Sequence, residues 1–199
     1  MLDSERQTAV IRGLRNGSRD SWTTLYDCYS VDVWRYVARL LGPDAAAVAD
    51  VVQETFLAAA RSAKAFDASR GTLGGWLTGI AHHQVSMHWR QAGRAERLRK
   101  LAESGASEIC RWLDAVEPPA ETWERRELAD LVRGVLADLP VEYAALLAAK
   151  YFDDRSLEQM AENSGSSVEA TKSKLARARR EFRARFERLS REPEPVDLK

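Results

Sequence analysis

At 199 residues, 45% hydrophobic and 30% charged, with 30 basic against 30 acidic side chains, the chain has the composition of one ordinary globular domain or two small ones, which excludes wholesale disorder. No apolar run approaches the ~20 residues of a membrane span, and the opening MLDSERQTAV lacks the apolar core of a secretory signal. Two distant cysteines, Cys28 and Cys110, exclude a disulfide scaffold and a cysteine-rich zinc module, and they fit a reducing, cytoplasmic setting.

Helical periodicity dominates from the N-terminus onward. Trp22, Leu25, Tyr26, Tyr29, Val33, Tyr36, Val37 and Leu40 recur at three- and four-residue steps, predicting one apolar face that ends at Gly42-Pro43. Cys28, in this tyrosine-rich stretch, reads as a core residue. Asp44 can cap the next helix, whose apolar stripe is Val48, Val51, Val52, Thr55, Phe56 and Ala59, leaving Asp50, Gln53 and Glu54 on the opposite side. A turn-rich segment from Phe66 to Gly71 follows. A third helix then carries Trp76, Leu77, Ile80, Ala81, Gln84 and His88. Periodicity fades around Glu103 to Ala120, where Gly105, Pro118 and Pro119 mark a linker. It returns at Leu128 to Leu136, breaks at Asp138-Leu139-Pro140 and resumes through Tyr143, Leu146, Leu147 and Tyr151. A short helix from Ser156 to Asn163 and a long one from about Ser167 to Leu189 complete an all-α pattern without β-alternation. The expected organisation is two helical domains, 5–93 and 125–190, joined by a flexible acidic linker over 94–124 and followed by a disordered tail over 191–199.

The zero net charge hides a division. Between Met87 and Lys100 there are five basic residues against Glu96; between Leu101 and Asp130, eight acids against three arginines; between Lys172 and Arg191, nine basic residues against Glu181 and Glu187. Two cationic blocks flanking an acidic stretch suggest two contacts with a polyanion, and the arrangement points to nucleic acid.

The stretch from Ser156 to Leu175 reads as a helix-turn-helix. Ala161 is small enough for two helices to cross closely, Gly165 supplies a left-handed turn, and Ser167 caps the second helix. Val168 and Leu175 are expected to face the core, with Thr171 nearer the buried side. Glu169, Lys172, Ser173 and Arg177 are then left on the outside, where the first turns of such a helix reach base edges in the major groove. Arg177, Arg179, Arg180 and Arg183 could neutralise phosphates. Ser164 and Ser166 occupy positions where many such motifs bury aliphatic side chains, so this turn is expected to be loosely packed.

Asp50-Val-Val-Gln-Glu-Thr-Phe56, together with Phe66-Asp67, Arg70-Gly71, Trp76-Leu77, Gly79-Ile80-Ala81 and the arginines from Arg90 to Arg99, resembles a bacterial RNA polymerase sigma factor of the minimal, two-domain extracytoplasmic-function type. Leu139-Pro140, Tyr151-Phe152 and Ser167 to Arg179 look like the C-terminal domain of the same family. The resemblance implies that the helix carrying Asp50, Val51, Gln53 and Glu54 docks on core RNA polymerase. It implies that Arg70, Trp76, His83, Met87, Trp89, Arg90 and Arg94 hold the melted minus-ten strand. Stacking aromatics in a cationic groove suit that task, and the glycines Gly71, Gly74 and Gly75 would let backbone approach an extruded base. It implies that Ser167, Glu169, Ala170, Thr171, Lys172, Ser173, Lys174, Arg177 and Arg180 read the minus-thirty-five duplex. It also implies restraint by an anti-sigma factor. The chain departs from the family at Ala81-His82-His83 and Ser86-Met87-His88-Trp89, where an arginine and an acid are replaced and two histidines enter; their protonation could tune DNA affinity.

Two rival readings stand beside this one. A helix-turn-helix regulator would bind duplex operator DNA on its own, without polymerase core. An enzyme would need a site, but His82 and His83 diverge by ~100° around a helix, His83 and His88 have a poor same-face spacing, and no phosphate-cradling glycine loop or metal motif occurs. No catalytic residue, metal or cofactor is therefore expected.

Overall fold

The computed structural model describes residues 4–69, 71–91 and 124–191, and among these every regular element is helical. The expected linker, Cys110, Arg70, Arg94 and the tail beyond 191 lie outside the described residues. The chain divides into two compact units, Met1–His88 and Trp89–Lys199, each described by itself.

The first unit begins with α1 (Ser4–Arg15), which the periodicity reading did not single out because only Val10 and Leu14 of this helix are buried. It packs on α2 (Arg19–Leu41), and a β-carbon at Gly13 would run into Ser21, so glycine permits this crossing. Ser18 caps α2 through its hydroxyl. The α2 stripe is buried as expected at Leu25, Tyr29, Val33, Tyr36, Val37 and Leu40. Tyr26 departs from it: it is 52% exposed and lays its ring against Phe56 at 4.9 Å. Cys28 is exposed, not core, because it follows the stripe by one step around the helix. Asp44 caps α3 (Ala45–Ser62), accepting from Ala47 N at 3.0 Å, and Val48, Val51, Val52, Thr55 and Ala59 fill the space against α2. A 3₁₀ turn (Ala63–Ala65) leads to α4 (Leu73–Gln91), which buries Leu73, Leu77, Ala81 and Val85 in this unit, while its last residues, from Trp89 on, fall in the second.

The second unit contains α5 (Glu124–Asp138), α6 (Val141–Tyr151), α7 (Leu157–Ser164) and α8 (Val168–Arg191). Its core gathers Leu131, Val135, Leu136, Leu147, Ala148, Leu175, Ala178, Phe182 and Phe186. Burial of each phenylalanine contributes about 1.5–3 kcal/mol. Arg185 crosses from α8 to close the C-terminus of α5, donating to the Asp138 carbonyl and carboxylate at 2.5 Å. Although partial burial works against its charge, the Asp138 and Glu181 carboxylates hold its pKa above the ordinary value.

Candidate nucleic-acid interface

The helix-turn-helix is assembled by local chemistry. Ser156 and Gln159 form a reciprocal capping box at the start of α7, and Glu158, in its first turn, has its carboxyl lowered by a hydrogen bond with its own backbone N–H and by the Ser156 hydroxyl. Gly165 ends α7 at φ 62°, the left-handed region that glycine adopts without strain. Met160 and Ala161 are buried beneath it. Ser167 caps α8 by accepting from Ala170 N at 3.1 Å.

Beyond that cap, Glu169, Ala170, Lys172, Ser173, Arg177 and Arg180 are exposed along one side of α8. Four expectations need correction. Thr171 is 2% exposed and faces the core, and its hydroxyl has no hydrogen-bond partner, so it is unavailable to a base edge. Val168 is 37% exposed instead of core, since it precedes the first full turn. Lys174 bridges to Glu142 of α6 at 2.5 Å. Arg179 is committed inside the unit, donating to the Tyr151 hydroxyl at 2.8 Å with its guanidinium 5.7 Å from that ring. Arg183 is likewise half-buried, so Arg177 and Arg180 remain as the outward arginines of that group.

On the first unit, Asp50, Gln53 and Glu54 form an exposed stripe on α3 with Leu57, which is 41% exposed, and Arg61, which approaches Glu54 at 3.8 Å. Val51 is 6% exposed and packs inward, so it supports the stripe from beneath instead of contributing to it. Tyr26 and Leu57 were not among the sequence-predicted site residues; no motif marks them, and only their exposure does.

The segment before α4 is anchored. Phe66 is buried with its ring 5.1 Å from Trp76, its carbonyl accepts from Arg15 at 2.6 Å, and Asp67 accepts from the Ser69 N–H and hydroxyl. Gly74 and Gly75 belong to the first turn of α4 and not to a loop: Gly74 rests near the Tyr29 ring, and Gly75 N–H donates to the Thr72 hydroxyl at 3.1 Å. Gly71 alone remains in the exposed loop. Along α4, His83, Met87 and Arg90 are exposed and Trp76 is half-buried against Phe66. Trp89 is 5% exposed, which withdraws its indole from stacking with a base in this conformation. His82 is also buried, and its Nδ1 shares a hydrogen bond of 2.8 Å with the Tyr36 hydroxyl. Burial raises the Tyr36 hydroxyl far above its ordinary value. Among the described residues no helix is long and apolar enough to cross a membrane, and no acidic, histidine or cysteine cluster could hold a metal.

Among the described residues every regular element is helical, with a capped helix-turn-helix in one unit and an exposed polar stripe in the other. Residues 25–95 match the Sigma-70 region 2 family. The chain is 29% identical over 165 residues to the ECF RNA polymerase sigma factor SigL of Mycobacterium tuberculosis, covering 83% of this chain and 88% of SigL. It is 34% identical over 90 residues to the ECF RNA polymerase sigma factor BldN of Streptomyces coelicolor, covering 45% of this chain and 34% of BldN. The solved structure of CnrH in complex with the cytosolic domain of CnrY matches at 21% identity over 92% of this chain and 97% of that one, with a TM-score of 0.46. These matches support a sigma factor of the extracytoplasmic-function type, a non-enzymatic class that directs transcription.

Proposed function

We propose that this sigma factor binds core RNA polymerase through the Asp50–Gln53–Glu54 stripe, reads the minus-thirty-five duplex with α8 and holds the melted minus-ten strand along α4. One observation carries the proposal: Glu169, Lys172, Ser173, Arg177 and Arg180 share an exposed face of α8, the second helix of a helix-turn-helix, in a chain whose residues 25–95 match Sigma-70 region 2. That face has the dimensions and N-terminal polarity of a major-groove helix, with arginines following for phosphates. On α4 the minus-ten contacts reduce to His83, Met87 and Arg90, with Trp76 at the edge and Arg70 and Arg94 outside the described residues. The domain limits proposed for these tasks are 5–93 and 125–190. Action is cytoplasmic, where polymerase is, and an anti-sigma factor covering the same faces is the proposed restraint.

Pull-down of core polymerase, run beside duplex-binding measurements with the chain alone, tests the proposal. Tight capture of core enzyme with weak duplex binding by the free chain is expected. Tight operator-like binding without core enzyme would favour the regulator reading instead.

A further inference from the structure

We infer that the cleft beside the recognition helix is a binding site for a small amphipathic carboxylate. The loosely packed turn anticipated from Ser164 and Ser166 has a structural counterpart: both residues line a cleft of about 530 Å³ between α6, α7 and α8. That volume falls in the range of small-molecule sites, roughly 300–1,000 Å³. Its floor is apolar and built from small or flexible side chains, Ala145, Leu146 and Ala149 of α6 with Met160 of α7. Larger aliphatics at the two serines would have filled it.

The rim selects the charge of the occupant. Glu142 is neutralised across the cleft by Lys174 at 2.5 Å. Among the described residues, Arg155 has a 3.9 Å ion pair with Asp153, and the Arg177 guanidinium has a 3.5 Å bond from Nε to the Ser173 carbonyl. Both line the cleft, so its uncompensated charge is positive and of the planar, forked kind that suits a carboxylate. Thr171, whose buried hydroxyl lacks a partner, also lines it. Apolar floor and guanidinium rim together specify an aliphatic or aromatic body bearing one carboxylate.

Arg177 and Ala170 belong both to this rim and to the proposed DNA-reading face. On that proposed function, an occupant engaging Arg177 competes with the duplex, which makes the cleft an effector site.

The test is a titration of the full ¹⁵N-labelled chain with octanoate and, separately, with octan-1-ol, followed by NMR, and in parallel by the affinity of reconstituted holoenzyme for a duplex carrying the minus-thirty-five element. Saturable shifts confined to the α6–α8 cleft with octanoate at about millimolar concentration, weaker shifts with the alcohol, and about tenfold loss of duplex affinity at ten times the octanoate Kd are expected. Ala149→Phe should abolish the shifts without changing duplex affinity in the absence of octanoate. Arg155→Gln, at an exposed position, should weaken octanoate alone. Absence of saturable shifts, equal shifts with the alcohol, or shifts that persist in both variants would overturn the inference. Failure of the unliganded holoenzyme to bind the duplex would count against the DNA reading and leave the binding result standing.

Discussion

Neighbouring positions 171 and 172 should respond to substitution in opposite ways. Thr171 is 2% exposed and its hydroxyl is buried without a partner, whereas Lys172 is exposed on the proposed reading face. A buried, unsatisfied hydroxyl costs about 1–3 kcal/mol, so Thr171→Val, which keeps the shape and removes the hydroxyl, should stabilise the chain by about 1–2 kcal/mol. For a unit of this size that raises the melting midpoint by roughly 4–8 °C per kcal/mol. Lys172→Ala removes one base or phosphate contact, worth about 1–3 kcal/mol, or about tenfold at 1.4 kcal/mol, and should lower the salt slope of binding by about 1 if the contact is to phosphate. Calorimetry of the full chain and promoter binding by reconstituted holoenzyme across a salt series read the two effects. Thr171→Val should leave promoter affinity intact, and Lys172→Ala should leave both the melting midpoint and core-enzyme binding intact. Equal loss of promoter affinity in the two variants, or destabilisation by Thr171→Val, would refute the assignment of faces.

Other predictions follow from the first unit. Glu54→Lys should weaken core-polymerase capture at least tenfold with an unchanged melting midpoint, while Val51→Ala should cost about 2 kcal/mol of stability through lost burial and a cavity; the converse pattern in binding and calorimetry would contradict the stripe. Because the Tyr36 hydroxyl is raised above its unfolded value of 10.0 by burial, its contribution to stability is complete below that pH. It is lost as pH rises above it, since the unfolded chain then releases a proton the folded chain retains. Alkaline denaturation should be less steep in Tyr36→Phe, although that variant starts about 1–3 kcal/mol less stable because His82 Nδ1 loses its buried hydrogen-bond partner.

The elements most legible in the sequence were those written in local chemistry. Asp44, Ser156, Ser167 and Gly165 mark helix ends by capping and by a positive φ, and each does so in the fold. The stripe of α3 follows from 3.6-residue spacing, which also left Asp50, Gln53 and Glu54 outside. What spacing could not determine was where each stripe ends and which polar residues are used internally. Tyr26 and Cys28 lie one step off the buried line of α2. Thr171 lies on the buried line of α8 with Leu175 and Phe182, as its spacing suggests, whereas Val168, close to the same line, is exposed because it opens the first turn. Arg179 and Arg185 look like phosphate ligands in a list of charges, yet Tyr151 and Asp138, 28 and 47 residues distant in the chain, engage them. The helix α1 escaped notice because two buried residues, Val10 and Leu14, are a weak periodic signal. The resemblance motifs led to Trp89 as a stacking surface, but its burial depends on tertiary packing that no motif encodes.

Run-off transcription with purified core polymerase and a pool of promoter fragments, with and without this chain, tests the central assignment most directly. The account predicts transcripts from a small subset of fragments that share one upstream element and appear only when the chain is added, and it predicts their loss with Glu54→Lys. Transcripts that are absent, or unselective across the pool, would contradict it.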